Sequence, residues 1–357
     1  MLDTAPGRIM PEPLFEWTRE IMSGFGFCHA AAEATARMLT EADVHGLDSH
    51  GVSIVLPRYT IILDKGLVNT GDDITIVQES ETTALIDGQN NLGAINARQA
   101  IDLLVEKARA HNVAWVGVCG SNHIGFLSHW CRQIVEHDMI AYVSSNSGRE
   151  MAMHGTLGKT IGNNPIAIGA PGDPFPVVLD MSSSSMATGK VRALAAQGGS
   201  LPTASAMDAM GNVTTDPQVM LDEGALLPTG GHKGSGLAVM VDVVCALLTG
   251  AMPSALSAQR ATEVAQPVNI GHMFGAVRID AFCPPDEFRR RARDYVAFLH
   301  ELPRLPDVDC LYLPGERSFD TARQRRSDGI PLSAEALEAL QALAEKYHCP
   351  LPTTGTT

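Results

Sequence analysis

Neither of the common glycine loops that hold nucleotide phosphates is present in this sequence. There is no G-x-G-x-x-G between a strand and a helix, and no G-x-x-x-x-G-K followed by Ser or Thr, so any dinucleotide must be held in another way. No Ser sits in a G-x-S-x-G elbow, which argues against a serine hydrolase. The cysteines (28, 119, 131, 245, 283, 310 and 349) never form C-x-x-C. Free thiols in a reducing compartment are therefore expected, with neither a zinc ribbon nor a disulfide framework. His45 and His50, or His123 and His129, miss the i, i+4 spacing of a helical zinc pair, and no metal is expected. No apolar run reaches the roughly 18 residues of a membrane helix, since Gly236 to Leu248 contains Asp242. No charged-then-apolar leader opens the chain, which makes the cytoplasm the expected location.

Positive charge is also scarce. The formal net charge is −14, so nucleic-acid binding would need a local basic patch. The cluster Arg289, Arg290, Arg291 and Arg293 is interleaved with Asp286, Glu287 and Asp294 and reads as a solvated helix face. Neither nucleic acid nor membrane is an expected partner.

Glycine, alanine and methionine are abundant, while aromatics make up only 5% of the chain. With 45% apolar residues this composition favours a globular α/β enzyme over a β-sandwich. Hydrophobic spacing predicts helices over Ala30 to Val44, Ile95 to Ala110, Phe126 to Glu136, Gly234 to Leu248 and Ala334 to Lys346. It predicts a strand hairpin within 73–87, and strands at Val113–Val118, Met139–Ser145, Ile166–Ile168, Val177–Leu179 and His272–Ala281. Gly120–Gly125 and Asp208–Asp216 read as loops. The expected organisation is a helical domain from both chain ends (1–72 with 285–357) around an α/β core (73–284).

Three junctions can carry chemistry. Gly120-Ser-Asn-His-Ile-Gly125, Asp180-Met-Ser-Ser-Ser-Ser185 and Gly230-Gly-His-Lys-Gly-Ser-Gly236 each place glycines or hydroxyls at a helix start. Free amides there suit a phosphate, although each alone also reads as a helix cap. Asp48-Ser49-His50-Gly51 sets a carboxylate, a hydroxyl and an imidazole where a helix gives way to loop. Imidazole gives and takes protons near neutral pH, so His50 is a candidate acid/base.

Read in order, Asp48-Ser-His-Gly51, Gly120-Ser-Asn-His-Ile-Gly125, Gly162-Asn-Asn-Pro165, Asp180-Met-Ser-Ser-Ser184, Gly230-Gly-His-Lys-Gly234 and Leu313-Pro-Gly-Glu316 closely resemble the malate/L-lactate dehydrogenase family of the second type. The resemblance spans about residues 10–347. It implies a non-Rossmann dinucleotide-binding core, a homodimer and NAD or NADP as cofactor. It implies a small-molecule carboxylate substrate, either a 2-hydroxy/2-keto acid of malate or lactate type or, as in other members, a cyclic imino acid.

By this resemblance His50 is the proton donor and acceptor, with Ser49 beside it. Asp180 lies near the cofactor and the histidine, and His123 carries the acid/base role in some members. Cofactor contacts fall on His123, Asp180, Met181, Ser182, Ser183, Ser184, His232, Lys233 and Gly234. Lys190, with Thr188 and Arg192, is a candidate for a 2′-phosphate. Asp180 or Asp48 would orient the imidazole. Asp48, Asn164, His154 and Arg58 are candidates on the substrate side.

The sequence departs from the family at two places near the substrate. Ile54 stands where an Arg is common, and Met153-His154-Gly155-Thr156 replaces P-x-G-G. Either Arg58 anchors the carboxylate or the anchor comes from elsewhere. The departures also motivate a catalytically inactive binding protein as an alternative, against which stands the joint presence of His50, His123, Asp180 and Lys233.

Overall fold

A computed structural model describes residues 7–257 and 267–352. The ends of the expected helical domain (1–6 and 353–357), where a leader was sought, lie outside the described residues. The chain opens with β1 (Gly7–Ile9), α1 (Pro11–Gly24), α2 (His29–Val44) and α3 (Val52–Asp64). Pro11 starts α1, where its missing N–H costs nothing. In α2 the buried Ala31, Ala32, Ala34 and Ala36 let neighbouring helices approach closely. The chain closes with α9 (Pro285–His300), α10 (Glu316–Asp328), β14 (Ile330–Leu332) and α11 (Ala334–Lys346). β14 pairs with β1, so the two ends of the chain meet.

Between them lies a seven-stranded sheet built from β2 (Thr75–Glu79), β3 (Thr83–Asp87), β4 (Val113–Ser121), β5 (Met139–Ser145), β8 (Ile166–Ala170), β9 (Val177–Met181) and β13 (Ile270–Arg278). Its order is β2-β3-β4-β13-β5-β8-β9. β3 and β4 pair in parallel, joined by the crossover helix α4 (Gly93–His111), and the other neighbours are antiparallel. This is not the doubly wound parallel sheet that carries the Rossmann fingerprint. Side-chain alternation in β4 buries Ala114, Val116 and Val118 and leaves Val113 and Trp115 open. Trp115, Gly275, Tyr142, Ile168 and Leu179 stand in one register row on that open face. A Cβ at Gly275 would lie 2.8 Å from the Trp115 ring, which occupies that space.

α5 (Leu127–Val135) follows β4 and packs on the sheet. A second sheet was not legible in the sequence. Its strands are β6 (Arg149–Met151), β7 (Ile161–Gly162), β10 (Ala206–Met207), β11 (Val213–Thr214) and β12 (Ala225–Leu226), in the order β11-β10-β12-β6-β7. With α6 (Thr188–Ala196), α7 (Pro217–Asp222) and α8 (His232–Asp242) it encloses a core that includes Met151, Ile161, Val191, Leu226 and Ala238. A larger core runs from Ile9 and Trp17 through Ile86 and Val116 to Leu340. The terminal helices and the large sheet thus share one interior.

Several element boundaries differ from expectation, among them the strand expected to reach Ala281, which ends at Arg278 and gives way to a 3-10 turn. Gly120 and Ser121 end β4 because Ser121 pairs with Ile270 of the late strand β13. Asp208–Asp216 contains the short strand β11. The apolar helix expected to reach Leu248 leaves α geometry after Asp242 and continues as a π turn, Val243–Leu247.

Candidate active site

His50 sits in a 3-10 turn, Asp48–His50, between α2 and α3. The turn closes with the bonds His50 N to Leu47 O (2.8 Å) and Gly51 N to Asp48 O (3.1 Å). The Ser49 hydroxyl lies 3.0 Å from His50 Nδ1, so each can orient the other. From the loop after β4, the ring of His123 stacks on that of His50, with centroids 5.9 Å apart and planes inclined by 16°. The two histidines suggested by separate motifs therefore meet.

Tyr59, two turns into α3 and next to Arg58, places its hydroxyl 2.9 Å from His123 Nδ1. Burial raises the Tyr59 phenol well above its usual range, against the opposing charge of Arg58, so the phenol stays protonated and can donate to Nδ1. A neutral His123 then accepts at Nδ1 and carries its proton on Nε2. His123 keeps an exposed edge. Protein on its other sides, and then His50, Arg58 and His272, hold its pKa below the usual imidazole range. The open edge makes that shift smaller than full enclosure would.

Burial also lowers the pKa of His50, opposed by Asp180 and Glu150 and reinforced by Arg58. Three charged side chains therefore act at His50. Glu150 was not among the expected residues. Its carboxylate accepts from Thr188 Oγ1 (2.7 Å) and Asn163 Nδ2 (3.2 Å), tying the Asn-Asn loop to the start of α6. Asp180, at the end of β9, accepts from the backbone N of Ser128 (2.7 Å) and so caps α5 from another strand. Strand end, helix start and the loop carrying His123 are fastened at one carboxylate.

His272, also unforeseen, lies behind this loop. Its Nδ1 meets Ser145 Oγ and its Nε2 meets Ser121 Oγ, both at 2.9 Å. Asn96 Nδ2 adds a bond to Ser121 Oγ (3.0 Å). Full burial lowers the His272 pKa to about 3, which keeps the ring neutral and the network structural. A single His in a strand pattern carries no signal for such a role.

Several expected contacts are corrected. The Asp48 carboxylate pairs with Arg325 Nη1 of α10 at 2.6 Å, so the residue expected to orient the imidazole is engaged by another helix. Asn164 is fully buried, and its amide is engaged by Ser147 N, Ala238 O and Ser254 Oγ, so it shapes the loop and is closed to substrate. Ser183 Oγ donates to Asn164 O (3.0 Å) and Ser184 Oγ to Met186 O (2.8 Å), and both side chains are buried. Of these hydroxyl groups Ser182 keeps partial exposure. The Thr188 hydroxyl is committed to Glu150. His154 sits by α8, with its ring 6.3 Å from that of His232 and its N donating to Ser235 Oγ, which places it with the glycine-rich loop.

That loop fits a nucleotide pyrophosphate. α6 and α8 are preceded by Ala187 and Gly231, neither of which supplies a side-chain cap; at α8 the amides of Lys233 and Gly234 already donate to Gly230 O and Thr229 O, which leaves that of His232. Gly230 and Gly231 have φ of 59° and 64°, conformations that favour glycine. A Cβ at Gly234 would lie 2.5 Å from Ser183 O and 2.6 Å from Thr229 O, so the loop and the serine run touch through backbone. His232, Lys233 and Lys190 are exposed around these helix starts, and Met181 is half-buried at the end of β9. Among the described residues no three His, Cys, Asp or Glu side chains converge as metal ligands, and no helix is long and apolar enough to cross a membrane.

Comparison with known proteins gives the class first: the chain is an enzyme of the dehydrogenase type, an oxidoreductase. It matches the malate/L-lactate dehydrogenase family over residues 9–341 and belongs to that family. It is 34% identical to the L-sulfolactate dehydrogenase of Methanothermobacter thermautotrophicus, over 95% of this chain and 97% of that protein. The crystal structure of malate dehydrogenase from Entamoeba histolytica superposes with a TM-score of 0.93 at 25% identity, covering 97% and 99% of the two chains. The Δ1-piperideine-2-carboxylate reductase of Pseudomonas syringae superposes with a TM-score of 0.85 at 30% identity, covering 94% and 99%.

Proposed function

We propose that this protein catalyses reversible hydride transfer between NAD(P)H and the carbon next to the carboxylate of a small 2-hydroxy/2-keto acid. The observation that carries the reading is the stacked His50–His123 pair beside Arg58, with its two ring partners Ser49 and Tyr59. When bound, the nicotinamide supplies or accepts the hydride. In the reducing direction His50 gives its proton to the developing alkoxide oxygen, and in the oxidising direction it takes the hydroxyl proton. His123, with Nε2–H presented, holds the substrate oxygen, and Arg58 anchors the carboxylate. The reading includes a homodimer in the cytoplasm.

A second reading, reduction of a cyclic imino acid, is favoured by Glu150. Its negative charge acts at His50 close to the positive charge of Arg58, a pairing that suits a substrate carrying a protonated imine beside a carboxylate. Oxidation of NADH and of NADPH is measured with pyruvate, oxaloacetate, sulfopyruvate, diketogulonate and the two cyclic imino acids. Turnover of a 2-keto acid supports the first reading, and turnover confined to the imines supports the second. No turnover with any of them, and no change in NAD(P)H fluorescence on mixing, would leave the inactive-binder alternative standing.

A further inference from the structure

The turn that carries His50 is held by a carboxyl group eight residues before the glycine it secures. Asp43 lies in the last turn of α2 and is 5% exposed. Its Oδ2 accepts from the backbone N of Val52 at 2.8 Å, the first residue of α3. α3 is preceded by Gly51, which has no side chain to cap it, and Asp43 provides the missing acceptor from the preceding helix. Its other oxygen fills the space beside Gly51, where a Cβ would lie 1.7 Å from Oδ1. Gly51 is thus glycine because the carboxyl group is there.

Two other elements brace the same turn. Arg325 of α10 donates to the backbone O of Asp43 and to Asp48 Oδ1, bridging the turn's two flanks. On the far side a Cβ at Gly189 of α6 would lie 2.6 Å from Ser49 Cβ. His50 therefore projects from a turn enclosed by α2, α3, α6 and α10. Burial lifts the Asp43 carboxyl to about 8, the Val52 amide opposing, Asp48 adding and Arg325 opposing. It is accordingly neutral at pH 7, and a neutral acceptor serves a backbone amide without placing a second negative charge beneath His50.

We propose that Asp43 is a positioning residue for His50, acting through Gly51 and Val52 to fix the turn that aims the imidazole. This rests on the assignment of His50 to proton transfer. The test uses the full-length protein and the variants Asp43→Asn, Asp43→Ala, Gly51→Ala and Asp43→Ala/Gly51→Ala. Each is read by steady-state turnover, by the NADH dissociation constant and by NMR titration of His50 in histidine-labelled protein.

Asn keeps an oxygen for the Val52 amide, so Asp43→Asn is expected to hold kcat within about threefold of wild type. Asp43→Ala and Gly51→Ala are each expected to lower kcat by about tenfold or more, with NADH affinity unchanged, because a small misplacement of a reacting group is costly. Adding Gly51→Ala to Asp43→Ala is expected to cost no more than about threefold further, the coupling of two groups in contact. In Asp43→Ala the His50 titration moves toward that of an ordinary histidine.

Asp43→Ala with wild-type turnover and an unmoved His50 titration overturns the proposal. Fully additive effects in the double variant also overturn it, as does a loss in Asp43→Asn equal to that in Asp43→Ala. Should Asp43→Ala fail to fold, Asp43→Asn and Gly51→Ala decide: the expected pattern is full activity in the first with a displaced His50 titration in the second. The NMR arm needs no substrate, so failure of the clamp is distinguishable from failure of the hydroxy-acid reading.

Discussion

At the scale of single residues, the site is defined by how hydrogen bonds divide the work between two imidazoles. His50 shares Nδ1 with a neighbouring hydroxyl, while His123 accepts a hydrogen bond at Nδ1 from a phenol that burial keeps un-ionised. On the proposed reading, this arrangement lets His50 change protonation state while His123 stays a fixed donor. Tyr59→Phe removes the bond at Nδ1 and frees the other tautomer. The expected outcome is a fall in kcat of about tenfold, equal to the ~1.4 kcal/mol of one hydrogen bond, with NADH affinity unchanged. Steady-state kinetics with fluorescence titration of NADH checks it, and unchanged turnover would remove Tyr59 from the account. His50, His123 and Asp180 stand out in the sequence because each lies in a short motif of chemically apt residues. Glu150 and Tyr59 do not, because nothing in their local sequence distinguishes them from surface acid and core aromatic. Asp48 and Asn164 misled for the same reason: a polar side chain in a motif reads alike whether it faces substrate or, as here, Arg325 or a buried carbonyl.

At the scale of elements, glycine-rich loops matter through what touches them. The start of α8 meets the serine run through the backbone of Gly234, Thr229 and Ser183, with Thr229 N donating to Ser183 O (2.9 Å). Gly234→Ala forces a methyl group against those carbonyls. It is expected to destabilise the protein by about 1–3 kcal/mol and to weaken NADH binding by more than it lowers kcat at saturating cofactor. Thermal unfolding together with cofactor titration separates the two effects, and unaltered NADH affinity would detach this loop from the nucleotide. The long periodic helices and the strands of the large sheet were legible within a few residues of their ends, since each presents a clear apolar face. The two- and three-residue strands of the second sheet were not, because so short a run has no period to read. The end of β4 escaped because its partner, β13, lies about 150 residues further along the chain.

For the whole molecule, the buried titratable groups set a pH profile of stability. His272 and His129 are held neutral by burial, each with its pKa lowered from 6.5 to about 3. The unfolded chain binds protons first, so their contribution is complete above 6.5 and is lost as pH falls toward about 3. Asp43 acts on the other flank. Its folded value of about 8 lies above the model-peptide value of 3.8, so the stability it contributes is lost as pH rises between the two. Asp43→Asn is expected to abolish that decline, leaving a Tm that falls less steeply than wild type toward about pH 8. Parallel unfolding curves for the two proteins would contradict a neutral Asp43. The two chain ends meet through β1 and β14. That the terminal helices share one core with the large sheet was not legible in the sequence, because a hydrophobic face shows that a helix is covered and not by what.

The central claim is that His50 moves the proton while its surroundings hold the turn and the tautomers. It is tested most directly by His50→Ala, with turnover measured against the accepted substrate and NAD(P)H binding measured separately. The account predicts a fall in kcat of about 100-fold or more with the cofactor dissociation constant unchanged. Turnover close to wild type would contradict it and pass the proton-transfer role to His123.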